Sequence, residues 1–224
     1  MKFHSCNYLN NCDCPTIQQS SETKYLGIIF DEKMTFKSHV QFINKKLKFT
    51  LSKFYYIKNI IPVNLKRMFY FAMVQSIFSY GILVWGGIYE TNLYTLKILQ
   101  KSFIRCVKGA GYRDHTENIF NSLNILNINK LYCYNICKFI KSNLQNNISV
   151  NMNHNSTKCF IPRVNLSSSQ RMFLFLGPKI YNEVPSSIKI QTLKKFKITV
   201  KAFIIKNLNI NILSRPFNVP TTNN

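Results

Sequence analysis

The chain has 224 residues, and 46% of them are apolar, enough to supply a core for one large domain or two small ones; a chain disordered by composition is excluded. Thirty Lys and Arg stand against eight Asp and Glu, a formal net charge of +22, far beyond what solubility needs. A polyanionic partner is therefore the first expectation. The chain is also rich in Lys, Asn, Ile, Phe and Tyr, all with A/T-rich codons, so base bias is an alternative source of lysine, but it does not explain the scarcity of acids.

The seven cysteines, Cys6, Cys12, Cys14, Cys106, Cys133, Cys137 and Cys159, are odd in number. No apolar run follows a basic start at the amino terminus, so reduced thiols and a cytoplasmic or nuclear location are expected. His4, Cys6, Cys12 and Cys14 lack the paired knuckle spacing of a zinc site, and no metal or cofactor is expected.

In chain order, the first twenty residues show little periodicity. Lys24 to Phe30 is a short apolar run around Gly27 that reads as one buried strand. From Phe36 the apolar residues Phe36, Val40, Ile43, Leu47, Leu51 and Phe54 keep helical spacing, with lysines filling the outer side, and Pro62 ends this helix near Ile60. A second helix, from about Val63 to Trp85, is apolar almost all round and reads as the centre of a bundle, with Gly86 and Gly87 as its stop. Met68 to Trp85 also sits at the lower edge of membrane-spanning length, but polar residues interrupt it and its flanks set no orientation; a single-pass membrane protein is thus the weaker alternative.

Asn92 is expected to cap a third helix with Leu93, Leu96, Leu99, Phe103 and Val107 inward, ended by Gly109 and Gly111. The basic loop 108–115 leads to a short helix from Thr116 to Leu123, and a further helix from Asn129 to about Asn143 turns Leu131, Tyr134, Phe139 and Ile140 inward. Residues 144–160, rich in Asn, Ser and Thr, read as a polar linker. Beyond it, Arg171 to Leu176 reads as extended, Pro178 to Glu183 as a turn or two of helix, and Thr192 to Leu208 as a basic amphipathic helix.

No catalytic pattern emerges. A two-metal polymerase or nuclease needs convergent carboxylates, whereas the adjacent Asp31 and Glu32 point to opposite faces of an extended chain. Asp31 is expected to make a simple ion pair with nearby lysines. No phosphate-cradling, nucleophile-elbow or zinc-protease motif occurs. His39 and His115 are isolated and read as packing or surface residues.

Several blocks in order carry a family resemblance. TKYLGIIFDEKMTFKSHV, residues 23–40, resembles the segment after the palm active site in reverse transcriptases of non-LTR retrotransposons of the jockey type and its relatives. FYFAMVQSIFSYGILVWGG, residues 69–87, resembles that family's thumb helix, with Ile77 or Phe78 where a proline is common; residues 93–107 resemble the leucine-and-basic helix that follows, and HTENIFNSLNIL, residues 115–126, resembles a later block. IPRVN at 161–165 and LGPKIYNEVPSSIK at 176–189 resemble the terminal block, with Tyr181 in place of the usual Trp. The resemblance implies descent from an RNA-directed DNA polymerase. The aspartate pair it would bring lies upstream of the KYLG segment and is absent from the 23 residues before Lys24, so a truncated product without polymerase chemistry is expected.

The fold expected is mainly α: a residual palm-end strand segment (1–35), a helical thumb-like bundle (36–143), the linker (144–160), a small α+β carboxy-terminal block (161–208) and a disordered tail (209–224). The expected function is sequence-independent binding to the backbone of an RNA or DNA duplex through Lys37, Lys45, Lys46 and Lys48 on the first helix and Lys97, Lys101, Arg105 and Lys108 on the third. Tyr112 and Arg113 are added as a loop contact. Association with a full-length reverse transcriptase is a second expected partnership. A helical interaction or scaffold protein, or an unexpressed transposon remnant, is the alternative.

Overall fold

The computed structural model describes residues 20–145 and 158–207. The His4 to Cys14 cluster, most of the expected linker and the tail lie outside the described residues.

The run expected as one buried strand is a hairpin. β1 (Glu22–Tyr25) pairs antiparallel with β2 (Ile28–Asp31), placing Glu22 opposite Asp31 and Tyr25 opposite Ile28. Leu26 and Gly27 form its two-residue loop, both with positive φ (45° and 78°), which matches the natural strand twist and favours a glycine at the second position. The apolar composition hid the turn: Tyr25 and Leu26 are exposed and only Ile28 enters the core.

Asp31 joins the hairpin to the first helix. Its carboxylate accepts hydrogen bonds from the Thr35 amide (2.9 Å), the Thr35 hydroxyl (2.9 Å) and the Phe36 amide (2.6 Å). The expected ion pair gives way to a hydrogen-bonded turn ahead of the first helix, because these donors are local and already positioned. α1 (Lys37–Ile57) follows and buries Val40, Ile43, Leu47 and Phe54 as its spacing predicts.

The second helix departs from the expected continuous, all-round buried rod. α2 (Val63–Phe69) runs into a π-helical segment (Tyr70–Gln75) and then α3 (Ser76–Ser79). The chain breaks at Tyr80 and Gly81, and α4 (Ile82–Trp85) completes it. Leu65, Met68, Met73 and Val84 are exposed, so this element covers one side of the core. Before the break, Lys66, Tyr70, Val74 and Phe78 are its buried positions, every fourth residue. A regular α-helix would drift out of phase at that spacing. The wider π turn reduces the rotation per residue and keeps the stripe facing inward.

The break is held from both sides. The Tyr80 hydroxyl donates to the Leu26 carbonyl at 2.5 Å, and Trp85 Nε1 donates to the Tyr80 carbonyl at 2.9 Å. A Cβ on Gly81 would lie 2.4 Å from Ile28 Cδ1. Gly86 and Gly87 act less as a helix stop than as a seat. A Cβ on Gly86 would meet the Tyr132 ring at 2.4 Å, and one on Gly87 would meet the Arg171 carbonyl oxygen at 2.2 Å.

α5 (Glu90–Lys108) buries the predicted Leu93, Leu96, Leu99, Phe103 and Val107 and ends on left-handed Gly109. Asn92 is not its cap: the helix starts two residues earlier, and the Asn92 amide donates to the Thr35 carbonyl at 3.2 Å. α6 (Thr116–Ser122) and α7 (Ile128–Gln145) follow as expected, except that Phe139 is partly exposed. Gln100, fully buried, ties these parts together. Its side-chain amide donates to the Tyr70 hydroxyl (2.8 Å) and the Leu126 carbonyl (3.0 Å) and its oxygen accepts from the Ile128 amide (2.9 Å).

The carboxy-terminal block is helical among its described residues, apart from an isolated bridge at Cys159. α8 (Ser167–Gln170), α9 (Phe173–Asn182), α10 (Ser186–Lys189) and α11 (Leu193–Asn207) compose it. Arg171 to Leu176, expected as extended, turns helical from Phe173, because Leu176 and Ile180 share one inward face four residues apart. α9 and α11 pack on α7, and Tyr181, Phe196, Val200 and Ile204 share one apolar core with the bundle. Asn182 clamps the entry to the block: it donates to the Cys159 carbonyl (3.0 Å) and accepts from the Cys159 amide (2.8 Å). No helix among the described residues is long and apolar enough to cross a membrane.

Candidate nucleic-acid interface

α1 and α5 run side by side in the same direction. Thr35 and Asn92 join their beginnings, and the Phe54 and Phe103 rings, 6.1 Å apart, join them near their ends. On α1, Lys37, Lys45, Lys46 and Lys48 are all exposed and have no acidic partner among the described residues. The structure adds what the apolar periodicity concealed. Phe42, Phe49 and Tyr56, seven residues apart, form a second, outward stripe between Lys45 and Lys53, and Tyr56 is 83% exposed. The Lys53 ammonium lies 4.3 Å from the Phe49 ring centroid, and Lys24 lies 5.3 Å from that of Phe42. The out-of-phase aromatic repeat was the signal for this stripe, and aromatics interleaved with cations suit a strand whose bases stack while its phosphates pair.

On α5, Lys97, Lys101, Arg105 and Lys108 fall on one stripe by their spacing, but their circumstances differ. Lys97 is half-buried and pairs with Glu90, whose other oxygen accepts from Asn129 at 2.7 Å. It is thus occupied inside the protein, which the isolated spacing did not reveal. Lys101 and Lys108 are exposed. Arg105 Nε donates to the Asp114 carbonyl at 3.1 Å, and its guanidinium lies 5.9 Å from the Tyr112 ring. Tyr112 and Arg113 are exposed at the tip of a loop closed by the Gly111 amide donating to Asp114 at 2.7 Å. Arg105 and Tyr112 meet Lys58 and Lys66 around one cleft, and neither of those lysines was in the predicted set.

The carboxylates nearest the resembling core are committed elsewhere. Glu22 accepts from the Ser38 hydroxyl, and Asp31 closes the turn over Thr35 and Phe36 that precedes α1. Partial burial alone would raise the Asp31 carboxyl, but the hydrogen bonds from Thr35 and Phe36 outweigh it and hold the group below its ordinary value. The folded state therefore favours the carboxylate, and its contribution is full above about pH 4 and is lost as pH falls through the folded value. Asp31→Asn should cost about 1 kcal/mol at pH 7, the net worth of a hydrogen bond, and shrink the stability difference between pH 7 and pH 3 in urea titrations. An undiminished difference would remove Asp31 as its source.

His39 is a packing residue, as expected. It is buried against Trp85 and Phe42, its Nδ1 accepts from the Ile29 amide at 3.4 Å, and burial lowers its pKa. His115 is exposed at the start of α6. No group of three or more His, Cys, Asp or Glu among the described residues is placed to hold a metal ion.

Over about half its length the chain is similar to RNA-directed DNA polymerases of mobile elements. Over 112 residues, 49% of the chain, it is 26% identical to the probable RNA-directed DNA polymerase from transposon BS of Drosophila melanogaster, with the match covering 12% of that protein. Over 117 residues, 48% of the chain, it is 26% identical to the RNA-directed DNA polymerase from mobile element jockey of Drosophila funebris, covering 13% of it. The probable RNA-directed DNA polymerase from transposon X-element of Drosophila melanogaster is 21% identical over 115 residues, 50% of the chain and 13% of that relative. The resemblance to mobile-element reverse transcriptases thus holds over about half the chain, and the match spans about an eighth of each relative's length. No family model and no solved structure matches the chain.

Proposed function

We propose that the chain is a thumb-type portion of a retrotransposon reverse transcriptase and binds the sugar–phosphate backbone of an RNA or DNA duplex without reading its sequence. The observation that carries this reading is the outer face of α1, where Lys37, Lys45, Lys46 and Lys48 stand exposed and unopposed beside Phe42, Phe49 and Tyr56. Cations of this kind bind phosphates by releasing condensed counterions and carry no base information. The similarity to RNA-directed DNA polymerases supplies the matching context. The chain works in the cytoplasm or nucleus, where such templates are found, and it does no polymerase chemistry by itself because Glu22 and Asp31 are spent on Ser38, Thr35 and Phe36.

Titration of a labelled RNA–DNA hybrid across a salt series tests the binding. The expected result is a steep linear fall of log K with log salt and little difference between unrelated sequences. No binding at the lowest ionic strength would end the proposal. With Mg2+ or Mn2+ and a primed template, the purified chain should incorporate no nucleotide. Incorporation abolished by Asp31→Ala would show that the carboxylate does chemistry.

A further inference from the structure

The cleft where α1 and α5 end beside the first turn of α2 has a volume of about 260 Å³ and is lined by Tyr55, Lys58, Lys66, Arg105, Cys106 and Tyr112, among others. No Asp or Glu lines it. Lys66 is the unusual member. Its stem packs on the buried stripe of α2, while its ammonium opens to the cleft and has no hydrogen-bond or ion-pair partner among the described residues. Three cations facing one cleft repel one another, and an anion seated between them relieves that repulsion.

The neighbours are placed for the same ligand. The Lys58 ammonium sits 4.7 Å from the Tyr55 ring centroid, at the mouth of the cleft. Arg105 is fixed through Nε on the Asp114 carbonyl, which leaves its two terminal amino groups to donate. Cys106, whose thiol is pushed up by burial, lines the same cleft as Lys58 and Lys66. Two helix ends also point here, and each carries about −0.5 of partial charge. Against three cations that leaves roughly +2, so the helix ends do not neutralise the cleft.

We propose that this cleft is a built site for one phosphate group, with Lys66 at its floor, Lys58 and Arg105 at its sides, and Tyr112 at the lip against the adjoining sugar or base. The cleft is smaller than the roughly 300–1,000 Å³ typical of organic ligands, which favours a compact anion. As for the source of the phosphate, the inference rests on the nucleic-acid reading: a strand held diffusely by the α1 lysines has one phosphate seated here, which fixes its register. The site itself stands without that reading.

Two measurements on the full chain test it. Inorganic phosphate should raise Tm relative to chloride at equal ionic strength. Lys66→Met should abolish that rise, and Lys194→Gln, on the exposed side of α11, should keep it. For a labelled RNA–DNA duplex, Lys66→Met should weaken binding about ten- to a hundredfold, as expected for loss of a charged hydrogen bond. Wild-type behaviour of Lys66→Met in both assays overturns the site. A Lys66-dependent phosphate effect without one on duplex affinity overturns the backbone as source and leaves a site for free phosphate. The same effect in a chain that binds no duplex refutes the proposed function and upholds the site. If Lys66→Met fails to fold, Arg105→Gln takes its place, and an unchanged phosphate response in that variant overturns the proposal.

Discussion

Replacing Lys37, Lys45, Lys46 and Lys48 together by glutamine is expected to lower the slope of log K against log salt by about 3 to 4 and to weaken duplex binding by about a hundredfold or more at low ionic strength. Each neutralised phosphate contact contributes about 0.7 to 0.9 to that slope, so the change counts contacts directly. All four side chains are exposed on α1, away from Val40, Ile43, Leu47 and Phe54, so Tm should stay within a few degrees of the wild type. The decisive comparison is a control in which Lys194, Lys195 and Lys206 of α11 are changed to glutamine. An equal loss from both sets would mean that net charge, and not the α1 face, does the binding. An unchanged curve for the α1 variant would move the activity elsewhere or leave the chain as an interaction protein.

Gly87→Ala is expected to be the most disruptive single-atom change, costing about 3 kcal/mol or more. The added carbon would stand 2.2 Å from the Arg171 carbonyl oxygen, 2.9 Å from the Tyr132 hydroxyl and 3.0 Å from Leu176. A carbonyl is part of the main chain and cannot rotate away as a side-chain tip does, so the segment leading into α9 must lift. Gly109→Ala is the matched control. Its φ of 76° strains an alanine by roughly 1 to 2 kcal/mol, but nothing lies within 4 Å of the new atom. Urea midpoints should separate the two, and limited proteolysis should cut within 158–207 in Gly87→Ala alone. Similar midpoints would mean that α9 is free to move away from the Trp85-Gly86-Gly87 turn at little cost.

Much of this architecture was legible in the sequence, and the failures have physical reasons. The α1 and α5 core stripes followed from three-to-four spacing because each helix buries one face only. The hairpin was missed because Leu26 occupies a loop position that polar residues usually mark. The interruption of 63–85 was missed because a nearly all-apolar segment shows no preferred face, although Tyr80-Gly81 between two buried stretches was the visible cue. The helix from Phe173 was read as extended because its aromatic, β-favouring residues outweighed the wide spacing of Leu176 and Ile180. Exposure of the α1 lysines was readable from the same period that located the core. The engagement of Lys97 by Glu90 and the convergence of Lys58, Lys66 and Arg105 were not, since each depends on how two or three helices meet.

The π turn between Tyr70 and Gln75 has an evolutionary corollary. It behaves as one residue held in excess of what a regular helix needs. Deleting a residue there would leave a locally smoother rod, yet everything downstream would swing by about 100°. Phe78 would then leave the interior, and Tyr80 would lose the Leu26 carbonyl that locks it to the hairpin. Length within this stretch is therefore under tighter constraint than identity. Lineages carrying such a segment should tolerate exchange of one apolar side chain for another far more readily than the gain or loss of a codon.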